Sequence, residues 1–224
     1  IAKDKTLTCT GEGGIGLSYN DNISLTIQGG ENSKLVCGET TNRSTITNGT
    51  LTLKNITVDI TSGVFGPTNL TVGNGATINV DAADQDSPLQ SSNLTVDNGG
   101  TINIKKFTRI GINIGYTLTI NNGGTVKVGN GTGDNRGILI SIGASIILNG
   151  GTLEGTEGSK IYLSEGAKVT GMSGKIVDQG KELSENGEVT VGAENAEPST
   201  SALTQGLYTW DKSSSKFVKP NPKE

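Results

Sequence analysis

From Leu51 to Leu153 the chain alternates apolar and polar residues in short strings, and Asn, Gly and Asp separate one string from the next. A period of two is the signature of a strand with one buried face. In Leu94-Thr95-Val96 the apolar residues share one side and Thr takes the other. Asn98-Gly99-Gly100 follows, and Asn and Gly tolerate the left-handed backbone that tight turns need. Thr101-Ile102-Asn103-Ile104 then predicts a second strand with Ile102 and Ile104 inward. Ile112-Asn113-Ile114 predicts a third, matched in the next unit by Ile138-Leu139-Ile140-Ser141-Ile142.

This unit repeats. Leu70-Thr-Val-Gly-Asn-Gly-Ala-Thr-Ile-Asn-Val80, Leu94-Thr-Val-Asp-Asn-Gly-Gly-Thr-Ile-Asn-Ile104 and Leu118-Thr-Ile-Asn-Asn-Gly-Gly-Thr-Val-Lys-Val128 align without gaps at a spacing of 24 residues. Leu51 to Ile60 is a version one residue shorter, and Ile146 to Leu153 a further one. Self-similarity at such a period marks a stacked repeat protein. Three strands per unit predict an all-β chain: a right-handed, single-stranded parallel β-helix whose coils each add about 4.8 Å. Leucine-rich, hexapeptide left-handed and calcium-loaded nonapeptide repeats are not matched. At the N-terminus, Leu7-Thr8-Cys9 fits the second strand and Gly14-Ile15-Gly16-Leu17 the third. Leu25-Thr26-Ile27 opens a new coil, whose second strand is Leu35-Val36-Cys37. Beyond Gly151 the register blurs, although Ile161, Leu163, Val169, Ile176, Val189 and Val191 keep the character of inward strand residues.

The organisation expected is a β-helix over 1–192, a polar linker over 193–204 and a C-terminal β-hairpin over 205–224. In that last piece, Leu207 to Trp210 and Lys216 to Val218 flank a polar turn. The hairpin reads either as a cap over the last coil or as a sugar-binding aromatic patch. A cap has a physical purpose, because an open solenoid end exposes strand edges and core.

The repeat pattern resembles the right-handed parallel β-helices of the pectate-lyase-like superfamily, particularly non-catalytic, adhesin-like members on bacterial surfaces. The resemblance covers roughly residues 1–192 and rests on the Leu-Thr-Val…Asn-Gly-Gly-Thr-Ile-Asn-Val pattern. It implies a secreted or cell-surface protein with a structural or adhesive role. A carbohydrate-binding module and a polysaccharide lyase or hydrolase are the alternatives. Glycans or host and cell-surface proteins are the partners it suggests.

Composition agrees with a thin solenoid core. Apolar residues make up 32% and aromatics 4%, low for a globular domain. The 34 glycines are too many for helices and belong in turns. The net charge of −4 argues against nucleic acid as a partner, which calls for clustered cations. No apolar run approaches the roughly 18 residues of a membrane span. The chain begins at Ile rather than Met and shows no signal peptide, so the expectation is a trimmed fragment, which leaves room for a removed secretory signal. Histidine, the commonest general base and metal ligand, does not occur.

Candidate chemistry is sparse. Cys9 and Cys37 fall on the same strand position of successive coils, so they are expected to be neighbours, either as a disulfide or as two buried thiols. Asp81, Asp84 and Asp86 cluster in the loop after one second strand; they could contribute to a calcium site, form a solvated acidic loop, or pair with Lys105 one repeat on. Thr26, Thr52, Thr71, Thr95 and Thr119 should form one outward ladder, and Thr57, Thr77, Thr101 and Thr125 a second. Asn74, Asn98, Asn122 and Asn149 should stack in the turns. Sugar binding favours exposed aromatics, which singles out Tyr19, Phe107 and Tyr116, with Arg109 nearby. For catalysis, a glycosidase needs two carboxylates at a set separation. The outward second-strand positions are Asp59, Asn79, Asn103 and Lys127, so no two acids face each other there. A lyase would draw on Asp81, Asp84, Asp86 and Arg109. No catalytic residue is assigned, and the expected function is non-enzymatic.

Overall fold

The computed structural model describes residues 1–9, 15–16, 23–38, 46–129, 131, 136–156, 159, 161–164, 168–170, 175–178, 181–182, 209–211 and 216–218. They form a right-handed parallel β-helix with three strand faces and, apart from it, one antiparallel hairpin. No helix of the described residues is long and apolar enough to cross a membrane.

Each face is a stack of the same repeat position. The first carries Ser24–Gln28, Thr50–Lys54, Asn69–Gly73, the ends of Leu89–Val96 and Ile110–Asn121, then Ser145–Asn149 and Lys168–Thr170. The second carries eight parallel strands, Thr6–Cys9, Lys34–Cys37, Thr57–Ile60, Thr77–Asp81, Thr101–Lys106, Thr125–Val128, Thr152–Gly155 and Lys175–Asp178. The third carries Ile15–Gly16, Ile46–Thr47, Phe65–Gly66, the starts of Leu89–Val96 and Ile110–Asn121, Arg136–Ile140 and Ile161–Leu163. Lys181–Glu182 folds back antiparallel on Lys175–Asp178, the last parallel strand of that face among the described residues.

The core follows from the alternation. Leu25, Leu51, Leu70, Leu94, Leu118 and Ile146 are successive Cα partners in one column. From Leu51 onward this column is buried. On the second face Leu7, Leu35, Val58, Ile78, Ile102, Val126 and Leu153 form another. On the third, Ile46, Phe65, Leu89, Ile112, Ile138 and Ile161 close the triangle. In the region where the sequence leaves the register open, the structure supplies one: Ile161 pairs with Ile138, Leu163 with Ile140, Val169 with Ile146 and Ile176 with Leu153. Val189 and Val191 lie outside the described residues, as do the 192 boundary and the 193–204 linker. The C-terminal hairpin pairs Thr209–Asp211 with Lys216–Val218, Trp210 opposite Phe217.

Cys9 and Cys37 are Cα partners, in register with Thr6–Lys34, Leu7–Leu35 and Thr8–Val36. Adjacent strands lie about 4.8 Å apart, inside the Cα reach of a disulfide. The column continues through Ile60 and Val80 to Ile104, as the repeat predicts. Cys37 is buried; the side chain of Cys9 lies outside the described set.

Candidate functional site

Outward residues repeat as faithfully as inward ones, and their rungs set the surface chemistry. Thr26, Thr52, Thr71, Thr95 and Thr119 are successive partners, and so are Thr57, Thr77, Thr101 and Thr125. Amides one rung apart bond to each other. Asn93 Nδ2 donates to Asn69 Oδ1 at 2.8 Å, Asn98 to Asn74 at 2.9 Å, Asn103 to Asn79 at 3.1 Å and Asn149 to Asn121 at 3.0 Å. The last pair corrects the expected turn ladder: Asn149 stacks on Asn121 rather than Asn122, and Gly150 bridges to Asn121 as well.

On the second face the ladder ends on an anion. Asn79 Nδ2 donates to Asp59 Oδ1 at 3.0 Å, and Lys34 Nζ pairs with Asp59 Oδ2. The chain Asn103–Asn79–Asp59 therefore runs its amides in one direction toward a carboxylate, an arrangement in which each bond polarises the next.

The acidic loop does not form a cage. Asp81 pairs with Lys106 Nζ at 3.2 Å and Asp86 with Arg109 Nη1 at 3.4 Å, while Asp84 Oδ2 accepts from Gln85 Nε2 at 3.1 Å. Among the described residues no group of three or more His, Cys, Asp or Glu could hold a metal ion. The loop leans on the next coil instead: Thr108 N donates to Gln85 O and Ile110 N to Asp86 O, both at 2.7 Å. Lys106 takes the place expected of Lys105, since the register shifts after Val80 and both lysines turn outward. These pairs are exposed, so each contributes between nothing and about 1 kcal/mol.

The aromatic candidates separate. Phe107 is fully buried, which removes it as a sugar platform; after the two outward lysines the chain dips inward and the ring fills a corner of the core. Tyr19 lies outside the described residues. Tyr116 is 68% exposed. It sits on a bulge where Ser92 alone opposes Gly115 and Tyr116, the flanking partners being Ser91–Ile114 and Asn93–Thr117. Arg109 is on the acidic loop's neighbour and away from this bulge in the repeat. Sequence reasoning missed Tyr162, whose ring lies under the Arg136 guanidinium at 4.7 Å.

Among the described residues, two concavities on the outer surface bear on function. One, of about 460 Å³, lies at the corner formed by Gly29 to Ser33, Asn55 to Thr57 and Gly75. Gly29 and Gly30 are demanded by packing, since a Cβ on Gly29 would meet Ser33 Oγ at 1.7 Å and one on Gly30 would meet Lys3 N at 2.8 Å, whereas Gly75 is demanded by its φ of +73°. That hollow is a by-product of turn geometry. The other, of about 340 Å³, runs along the third face past Thr47, Gly66, Gln90, Asn113 and Ser141, with no charged side chain in its wall. Its residues come from five successive coils, a length of roughly 19 Å at 4.8 Å per coil. Here glycine is not demanded. Neither Gly66 nor Gly115 has a left-handed φ, and an added Cβ would find its nearest neighbour at 3.6 and 3.4 Å, ordinary contact.

Comparison with family models, curated proteins and solved structures finds no match. The functional reading therefore stands on this chain's own residues. What they offer chemically is hydrogen bonding by uncharged groups along a rigid axis. The signal for the third-face groove was present in the repeat, because Gln90 and Asn113 occupy the outward third-strand position. It was hidden because that face is short and its coils vary in length.

The anion-terminated ladder gives a direct test of this surface. Asn79→Asp would replace the donor to Asp59 with a second carboxylate one rung away. Loss of a charge-assisted hydrogen bond and the added repulsion should cost about 2 kcal/mol at neutral pH. Folding the variant brings the two acids together, so one keeps its proton to higher pH than in the unfolded chain. The deficit should accordingly grow as pH rises from about 4 to 7 and shrink as it falls. Urea midpoints at both pH values measure it; a pH-independent loss would show that the two side chains do not meet.

Proposed function

We propose that this chain is a non-catalytic β-solenoid of the secreted or cell-surface kind, a rigid structural and adhesive element akin to the adhesin-like members of the pectate-lyase-like superfamily. The observation that supports the reading most is how its acids are used. On the outward second-face column Asp59 and Glu154 stand four rungs apart, about 19 Å. The carboxylate pairs of glycosidases stand at about 5–9.5 Å. Asp59 is engaged by Lys34 and Asn79, and Glu154 by Lys127 at 2.9 Å. The loop acids that a lyase would need for calcium each face a cation or an amide of their own surroundings. A stack of coils with in-register polar rungs supplies stiffness and a long surface, which suits presentation and contact rather than turnover.

The reading is tested by incubating the protein with polygalacturonate and with neutral plant and bacterial polysaccharides, with and without calcium, and following unsaturated products and reducing ends. No release above a boiled control is expected. Release that disappears in Arg109→Ala or Asp84→Ala would overturn the non-catalytic reading.

A further inference from the structure

The third-face groove differs from every amide ladder elsewhere on the described surface. Asn69–Asn93, Asn74–Asn98, Asn79–Asn103 and Asn121–Asn149 each satisfy one another across a rung. Gln90 and Asn113 are also Cα partners one rung apart, yet they do not bond to each other. Instead each amide is anchored at one end. Gln90 Nε2 donates to the Ser87 carbonyl at 3.2 Å, and Asn113 Oδ1 accepts from the Ser141 hydroxyl at 3.4 Å. The remaining ends, Gln90 Oε1 and Asn113 Nδ2, carry no hydrogen bond among the described residues. One acceptor and one donor thus stand a rung apart, each on an amide whose other end is held.

We infer that this groove is a binding site for a neutral oligosaccharide lying along the solenoid axis, with Gln90 and Asn113 reading sugar hydroxyls and Tyr116 providing the stacking face. The inference rests on the adhesive reading and names what the adhesion would recognise. Sugar hydroxyls both donate and accept, so they complement a fixed acceptor beside a fixed donor. The wall has no charged side chain, so a uronate or phosphate would lose its hydration without gaining a counter-charge. Gly66 keeps the wall open although neither backbone conformation nor crowding requires glycine there. Tyr116 follows Gly115 out of the groove wall and is exposed at the corner, held there by a bulge. The frame behind it is rigid: Ser92 N and Asn93 N both donate to Thr68 O at 3.0 Å, and buried Ser91 Oγ donates to Pro67 O at 2.9 Å. Preorganised polar groups beside an aromatic surface bind with little ordering cost.

The test is calorimetric titration of the full chain with neutral gluco-, xylo- and manno-oligosaccharides, with oligogalacturonate and a Ser/Asn-rich peptide as competing classes. Binding by at least one neutral oligosaccharide is expected, and none by the other two. Tyr116→Ala should weaken it roughly two- to tenfold, the range for loss of an aromatic contact, and Gly66→Gln should abolish it by filling the groove. If Gly66→Gln does not fold, the Tyr116→Ala and Asn113→Leu variants, both changed at outward positions, carry the test. No neutral binding, binding indifferent to these changes, or binding confined to oligogalacturonate or peptide would overturn the site. Those failures leave the rod reading intact, whereas shortening of the titrated sugar would overturn the rod reading and leave the site standing.

Discussion

Gly100→Ala is expected to destabilise the solenoid by more than about 3 kcal/mol, while Gly99→Ala next to it costs only about 1–2 kcal/mol. The two glycines share one turn and answer different demands. Gly99 has φ +78°, and an added Cβ there meets nothing within 4 Å, so the cost is conformational alone. A Cβ on Gly100 would stand 2.0 Å from Val72 O and 2.7 Å from Val72 C in the coil before. That contact is backbone, and Val72 O is already bound by Asp97 N at 2.9 Å, so it has little freedom to retreat. Separating the coils would strain the ladders on either side. The repeat contains its own control. Ala76 occupies the position equivalent to Gly100 and is fully buried. The coil before it makes the same turn through Asn55 alone, with one residue fewer between its first and second strands, so Ala76 faces a different turn from the one Gly100 faces. Urea denaturation of the two single variants provides the comparison. Equal, small losses would show that the coils do not approach as closely as described.

Leu94→Ala is expected to cost about 2–5 kcal/mol, and Leu25→Ala no more than about 1–2 kcal/mol. Both residues begin a Leu-Thr-(Ile/Val) string. Leu94 is fully buried between Leu70 and Leu118, so its truncation leaves a cavity that close-packed neighbours cannot fill. Among the described residues Leu25 has a strand partner on one side only, Leu51, and it is half-buried. A solenoid couples each coil to its neighbours, so a mid-stack cavity weakens two interfaces and a terminal one weakens a single interface. Thermal or urea unfolding followed by circular dichroism measures both. Similar losses at the two positions would contradict the one-dimensional stack.

Much of the surface chemistry was legible for the same reason as the core. A 24-residue spacing brings identical positions into register, so the Thr ladders and the Asn74–Asn98 pair are legible in the sequence, whereas the Asn69–Asn93 and Asn79–Asn103 bonds are not among the ladders it names. The exceptions fall where coil length or alternation changes. Phe107 looked like a surface aromatic because its neighbours are Lys105, Lys106, Thr108 and Arg109, yet two consecutive outward lysines shift the phase and the next residue turns inward. The same shift gives Asp81 to Lys106 rather than Lys105. Asn149 moved one place because Gly150 takes the left-handed position, φ +87°, that the Asn of earlier turns had held.

The sequence by itself determined the parallel stack, its three faces and the columns Leu70–Leu94–Leu118 and Cys9–Cys37–Ile104, because a period of two within strands and a fixed period between them leave one consistent register. Only the tertiary structure decided which polar residues satisfy one another and which do not. Whether Asn79 meets Asn103, or Gln90 misses Asn113, depends on where neighbouring carbonyls and hydroxyls compete for the same amide. Likewise, glycine written twice in one turn means freedom of φ at Gly99 and exclusion of a methyl group at Gly100, a difference set by the distance to the coil before.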